Sequence, residues 1–227
     1  MTTISAERLC FSPKYEAEKM AKSKMNLPNK LTVMRMLMVP VCIAAILIPE
    51  AWLPADLGAI IALVIFAAAS ITDAIDGKLA RKYNLITDFG KFMDPLADKF
   101  LVLGSLLAIL YRYEQMKTWL FWAVLVVIFR EFAVTSIRLV VSSSSGIVVA
   151  ANWLGKIKTV FQMSSIIVLL LEPVIYHAIE KNGTALPEFF DAYPPASVIF
   201  CALMAVFTIW SGVNYLAAYW GYLDPEK

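Results

Sequence analysis

The chain has 227 residues, 60% hydrophobic and 17% charged, with a mean hydropathy of +0.70. Soluble domains run nearer ~45–50% apolar and ~25% charged, so this balance excludes a disordered chain, a soluble nucleic-acid binder and a disulfide-stapled secreted domain. With 20 basic against 18 acidic residues the net charge is only +2, and no global polyelectrolyte character points to a partner.

So much apolar surface cannot be hidden from water by a monomer of this length, and the reading is an all-α integral membrane protein. In chain order, residues 4–24 mix charged and apolar groups around Pro13, a helix-start signal. They suit an N-terminal interfacial helix carrying Arg8, Lys14, Lys19, Lys22 and Lys24, or a flexible solvated tail. They hold no apolar core of a cleavable signal, and Met25 is an alternative start. Residues 25–227 then form one transmembrane domain. A spanning helix needs about 20 mainly apolar residues, and six stretches qualify: 30–49, 57–80, 90–111, 118–141, 155–175 and 196–220.

Lys and Arg set the orientation. They crowd the N-terminus and the 78–99 hinge, and Lys156 and Lys158 follow the fourth span. The opposite connections, 50–56, 112–117 and 176–195, hold only Arg112, Lys117 and Lys181. Both termini are therefore expected in the cytoplasm, as an even number of spans requires. Trp52, Trp119, Trp122 and Trp220 fall at predicted helix ends, where indoles anchor to the interface. Ser142–Ser145 before Gly146 reads as a turn. Cys10, Cys42 and Cys201 have no metal or disulfide spacing, and the single His177 argues against imidazole chemistry.

Charge inside the spans is the informative feature. Asp73 and Asp76 lie three apart at the end of the second span, Asp94 and Asp98 four apart in the third, and each pair shares a helix face. A short connection around Tyr83–Thr87 makes these helices antiparallel neighbours, so four carboxylates converge. Each uncompensated intramembrane charge costs about 2.5–3.5 kcal/mol even on the lenient insertion scale. Divalent cations would offset it, and all-oxygen donors without Cys or His suit a hard ion such as Mg²⁺, Mn²⁺ or Ca²⁺. Gly77 and Gly90 open space beside the cluster, and Arg81 adds a fixed positive charge suited to phosphate. Taken singly, each of these residues reads equally well as packing, capping or surface.

The spacing Asp73-x2-Asp76-Gly77-x2-Ala80-Arg81-x8-Gly90-x3-Asp94-x3-Asp98 resembles the signature of the CDP-alcohol phosphotransferase family without one departure. That resemblance implies a six-helix membrane enzyme, a homodimer, using two divalent cations, Mg²⁺ or Mn²⁺. It implies Asp73, Asp76 and Asp94 as metal ligands, Asp98 as ligand and general base, and a donor pocket of Asn29, Thr32, Gly77, Arg81 and Thr87. From the residues alone, Asn29 reads equally as an N-cap and Thr32 as an ordinary first-turn residue. The flanking segments NLPNKLTVMRMLMVP, TDFGKFMDPLADKFLV, REFAVTSIRLV and VVAANWLGKIKT resemble the bacterial branch that joins CDP-diacylglycerol to sn-glycerol 3-phosphate, releasing CMP. A bacterial cytoplasmic membrane and no nucleic-acid partner follow from that likeness.

A soluble dianionic acceptor needs cations of its own. Arg130 and Arg138 inside the fourth span are candidates, because arginine within a span is rarely idle. A salt bridge from Arg138 to Glu131, seven residues earlier, is the structural alternative. Lys156 is the preferred lysine because Lys158 could snorkel, and Arg35 reads as an interfacial anchor. Serine, inositol phosphate or phosphatidylglycerol remain alternative acceptors. A divalent-cation transporter is the alternative outside the class, although transport does not require Gly77, Arg81 and Gly90 at fixed spacing.

Overall fold

The computed structural model describes residues 27–82, 88–145, 153–184, 186–187 and 189–222. Side chains are described for all of these except 27–28, 74, 76–82, 88–89, 91, 143–145 and 222. The expectations for the 4–24 segment, for Met25 and for Thr87 lie outside the described residues. The long helices are α1 (Leu27–Leu47), α2 (Ala55–Lys82), α3 (Asp88–Arg112), α4 (Lys117–Ser145), α5 (Trp153–Lys181) and α6 (Pro195–Tyr219). Each overlaps one of the six stretches expected from hydropathy. By length and composition, Asn29–Leu47, Ala55–Asp73, Trp153–Lys181 and Phe189–Tyr219 can cross a membrane. The other two, α3 and α4, carry Asp94, Asp98, Lys99, Arg130, Glu131 and Arg138. The serines expected to turn the chain after α4 are helical through Ser145.

Helical spacing explains which faces meet. Val39, Cys42 and Ile46 line the core face of α1, and Ala59, Ala62, Phe66 and Ala69 that of α2, in steps of three and four residues. The alanines bring α2 close to its neighbours, as small residues do between membrane helices. α1 packs on α2 and α3, α6 packs on α4 and α5, and α2 meets α5. Buried Leu106, Ile109, Leu120, Val127 and Leu169 close the main core. Leu37, Val64, Phe129, Ile199 and Val213 point outward and exposed, an apolar exterior that a bilayer covers and water would not. Cys42 and Cys201 are buried free thiols.

The end of the bundle away from Asp73 and Asp94 is fixed by a carboxylate. α6 opens after Pro194, which makes no side-chain cap, so its first N–H groups need another acceptor. Buried Glu172 of α5 accepts from the backbone N–H of Ala196 at 3.0 Å and of Ser197 at 2.6 Å, and from the Tyr176 hydroxyl at 2.7 Å. Its charge also complements the positive end of the helix dipole.

At the α1–α2 corner a glycine permits the closest approach. A Cβ at Gly58 would lie 2.8 Å from the Ala45 carbonyl oxygen, a backbone atom that cannot swing aside. Gly58→Val should therefore lower stability by about 1–3 kcal/mol through overpacking. A drop in Tm in detergent micelles measures it, with Gly221→Ala, which meets nothing within 4 Å, as the silent control.

Candidate functional site

The acidic end is organised from α1. Thr32 and Arg35, three residues apart and so on one helix face, are 2% and 1% exposed. The Thr32 hydroxyl donates to Asp94 Oδ1 of α3 at 2.7 Å. The Arg35 guanidinium pairs with Asp73 Oδ1 of α2 at 2.5 Å. One face of α1 thus holds one carboxylate from each acidic helix. Arg35, expected as an interfacial anchor, is instead an interior counter-charge. Its side chain is buried inside the bundle beside the Asp73 carboxylate.

Asn29 is half-buried at the start of α1. The helix α2 runs through Asp76, Gly77 and Arg81, whose side chains lie outside the described residues, as does Thr87. Buried Gly90 precedes Asp94 by one turn of α3. The donor chemistry of Asp73, Asp94 and Asp98 is all carboxylate oxygen, which fits hard divalent ions. Among the described residues no group of three closes around one point. Asp73 is turned to Arg35 and Asp94 to Thr32.

Asp98, one turn beyond Asp94, opens onto a cleft of about 530 Å³ between α3, α4 and α5. The charged side chains lining it are Asp98, Lys99, Arg130, Glu131, Arg138 and Lys158. Four cations against two carboxylates leave it with an excess of two positive charges. Asp98 stands within range of the charges on Asp73, Arg35, Lys158 and Glu131, so cleft and acidic end form one electrostatic unit.

Interior hydrogen bonds hold the cations. Glu131 of α4 accepts from the Lys158 ammonium of α5 and pairs with Arg130 Nη1 at 3.2 Å. Arg130 Nη2 donates to Ser211 Oγ of α6 at 2.8 Å, while its Nε has no partner among the described residues. Gly212 gives the Arg130 stem room, since a Cβ there would meet it at 3.2 Å and make it give by a few tenths of an ångström. At the rim, the Lys99 ammonium donates to Thr135, whose hydroxyl donates to the Glu131 carbonyl at 2.6 Å.

The acceptor residues expected from sequence are separated by the fold. Arg130 and Arg138 both line the cleft. Arg138 is exposed, with Nε 3.4 Å from the Tyr215 hydroxyl and its guanidinium 6.0 Å from that ring. The structural alternative, a Glu131–Arg138 bridge, does not form among the described residues: Glu131 pairs with Lys158 and Arg130. Lys156 is exposed and does not line the cleft, whereas Lys158 is 4% exposed and does. Two residues apart on a helix point to nearly opposite sides, so only one of these lysines can face inward. Sequence reasoning missed Gln162, one turn after Lys158, which also lines the cleft at 2% exposure. Its signal was an amide side chain at i+4 from a lysine.

A sequence model described as CDP-alcohol phosphatidyltransferase matches residues 25–217. A Bacillus subtilis CDP-diacylglycerol–glycerol-3-phosphate 3-phosphatidyltransferase is 38% identical over 209 residues, covering 89% of this chain and 99% of the relative. Proteins of the same name from Salmonella choleraesuis and Yersinia pestis are 34% and 32% identical, covering 85% and 89% of this chain and 94% and 100% of their own lengths. The chain belongs to the CDP-alcohol phosphatidyltransferase family.

The Glu131 pairing has a measurable consequence. Glu131→Leu leaves buried Lys158 and half-buried Arg130 without their counter-charge, at a cost of about 3–5 kcal/mol. The double variant Glu131→Leu/Lys158→Met replaces the pair with apolar groups and should regain most of the loss. Thermal unfolding of both in detergent checks this, and equal Tm values for the two would contradict it.

Proposed function

We propose that this CDP-alcohol phosphatidyltransferase transfers the phosphatidyl group of CDP-diacylglycerol to sn-glycerol 3-phosphate, giving phosphatidylglycerophosphate and CMP. The observation that carries the reading is the joining of Asp98 to a cation-rich cleft inside an apolar bundle. An excess of two positive charges complements a phosphomonoester dianion, and serine, with no phosphate, would leave it unused. The names of the relatives point to the same pair of substrates.

Arg130, Arg138 and Lys158 bind the acceptor phosphate, and exposed Lys156 adds longer-range attraction. Held there, the acceptor presents its C1 hydroxyl to Asp98, which takes the proton as the oxygen attacks the phosphorus bearing diacylglycerol. The bond from that phosphorus to the CMP oxygen breaks. Positioning and fixed charge supply most of such a rate enhancement. Asn29, Thr32, Gly77, Arg81 and Thr87 bind the donor. Asp73, Asp76, Asp94 and Asp98 would hold two divalent cations, Mg²⁺ or Mn²⁺, which when bound neutralise charge developing on the diphosphate. Arg35 and Thr32 orient Asp73 and Asp94 for that set.

All six long helices span the membrane, with both termini and the active site on the cytoplasmic face of a bacterial inner membrane. The basic residues at 78–99 and after α4 support that orientation. The homodimer rests on family resemblance.

Purified protein in micelles with CDP-diacylglycerol and Mg²⁺ should release CMP when given sn-glycerol 3-phosphate. Release with serine and none with glycerol phosphate would sink the acceptor assignment. Asp98→Asn should cut release by about 10²–10⁴-fold while donor binding persists, and near-normal turnover would remove the general-base role.

A further inference from the structure

Gln162 is a buried polar residue of the cleft whose chemistry the proposed reaction leaves unused. Its side chain is 2% exposed, it lines the cleft, and its Nε2 has no hydrogen-bond partner among the described residues. A buried amide donor left unmade costs about 1–3 kcal/mol, and native interiors satisfy nearly all such groups. An unmet donor facing a cleft is therefore matched to something that enters it.

The ligand's phosphate is already provided for by Lys158, Arg130 and Arg138. Gln162 follows Lys158 by four residues, on the same face of α5 and about 6 Å further along its axis. A phosphate and a hydroxyl two carbons away can span that separation. An amide offers both a donor and an acceptor, and a hydroxyl offers both in return, so the two pair whichever way the amide is turned. sn-Glycerol 3-phosphate has two hydroxyls, and the proposed reaction consumes the C1 oxygen at Asp98. We infer that Gln162 hydrogen-bonds the acceptor's C2 hydroxyl and makes the enzyme selective for a glycerol backbone over a phosphorylated alcohol lacking that group. This inference rests on the proposed reaction. A site built to bond a hydroxyl rejects the analogue lacking it, because its own polar group is then left unpaired.

The test compares sn-glycerol 3-phosphate with 3-hydroxypropyl phosphate, which lacks only the C2 hydroxyl, by CMP release. Wild-type protein should favour the first by about 10–100-fold in kcat/KM, the range one buried hydrogen bond gives. Gln162→Met, close in volume, should bring the two within about threefold, chiefly by losing rate on glycerol phosphate. Lys158→Met should weaken both acceptors and leave their ratio near the wild-type value. Because Met removes an unmet buried donor, the empty Gln162→Met protein should also have a higher Tm, which a merely structural glutamine would not show. Equal use of both acceptors by wild-type protein overturns the inference without recourse to any variant. So does a Gln162→Met protein that keeps the wild-type ratio or melts lower. If wild-type protein releases no CMP with either acceptor, the reaction itself fails, and the role of Gln162 fails with it.

Discussion

Charge buried in an apolar bundle has to be answered by other groups, and that requirement shapes the interior of this protein. An unpaired carboxylate or ammonium away from water costs several kcal/mol, so the interior charges are met by charged or polar groups, several of them on other helices. Arg35 of α1 answers Asp73 of α2. Lys158 of α5 answers Glu131 of α4. Arg130 reaches from α4 to Ser211 of α6. These contacts tie the bundle together at the depth where the site lies. Their chief effect is geometric, since a buried ion pair is often no more stabilising than an apolar pair of equal volume.

Helix α1 has a particular part in this arrangement. Its apolar stripe of Val39, Cys42 and Ile46 docks it against α2 and α3. One turn nearer its start, the same docking carries Thr32 and Arg35 to the acidic residues. Packing and site geometry therefore share one interface, and a shift of α1 would move both carboxylates together. At the other end, Glu172 fixes the start of α6 through two backbone N–H groups. α6 then delivers Ser211 and the bare backbone of Gly212 beneath Arg130. The acidic cluster and the cation cleft are thus supported by different helices and meet at Asp98.

Much of this was legible in the sequence because it depends on local periodicity. Hydropathy alone located all six long helices, and a step of four put Asp94 and Asp98 on successive turns of α3. What periodicity could not supply was the rotation of each helix about its axis. Lys156 and Lys158 are equally basic and nearly adjacent, and only the docking of α5 against α4 turns the second inward. Arg35 looked like an anchor because sequence places it near the start of a span, and its partner is far away in the chain. Glu131 had two basic residues within helical reach on its own helix, Arg130 and Arg138, yet its strongest partner comes from α5. Pairings between helices were the part that sequence left open.

The cleft's charge balance shows why carboxylates belong in a site that would bind an anion. If only cations lined it, their mutual repulsion and desolvation would fall on the empty protein. Glu131 removes part of that burden, and with Asp98 it leaves an excess of two positive charges, the opposite of a phosphate dianion's charge. Its neutralising effect is present whether or not a ligand is bound. Asp98 is different, because its charge faces the acidic end as well as the cations. A carboxylate in that position can give and take a proton only if nearby positive charge limits the cost of its ionised form. Lys158 is therefore shared electrostatically between two carboxylates, one that holds it in place and one poised at the proposed reacting hydroxyl. The same excess of positive charge complements the phosphate dianion of the proposed reaction.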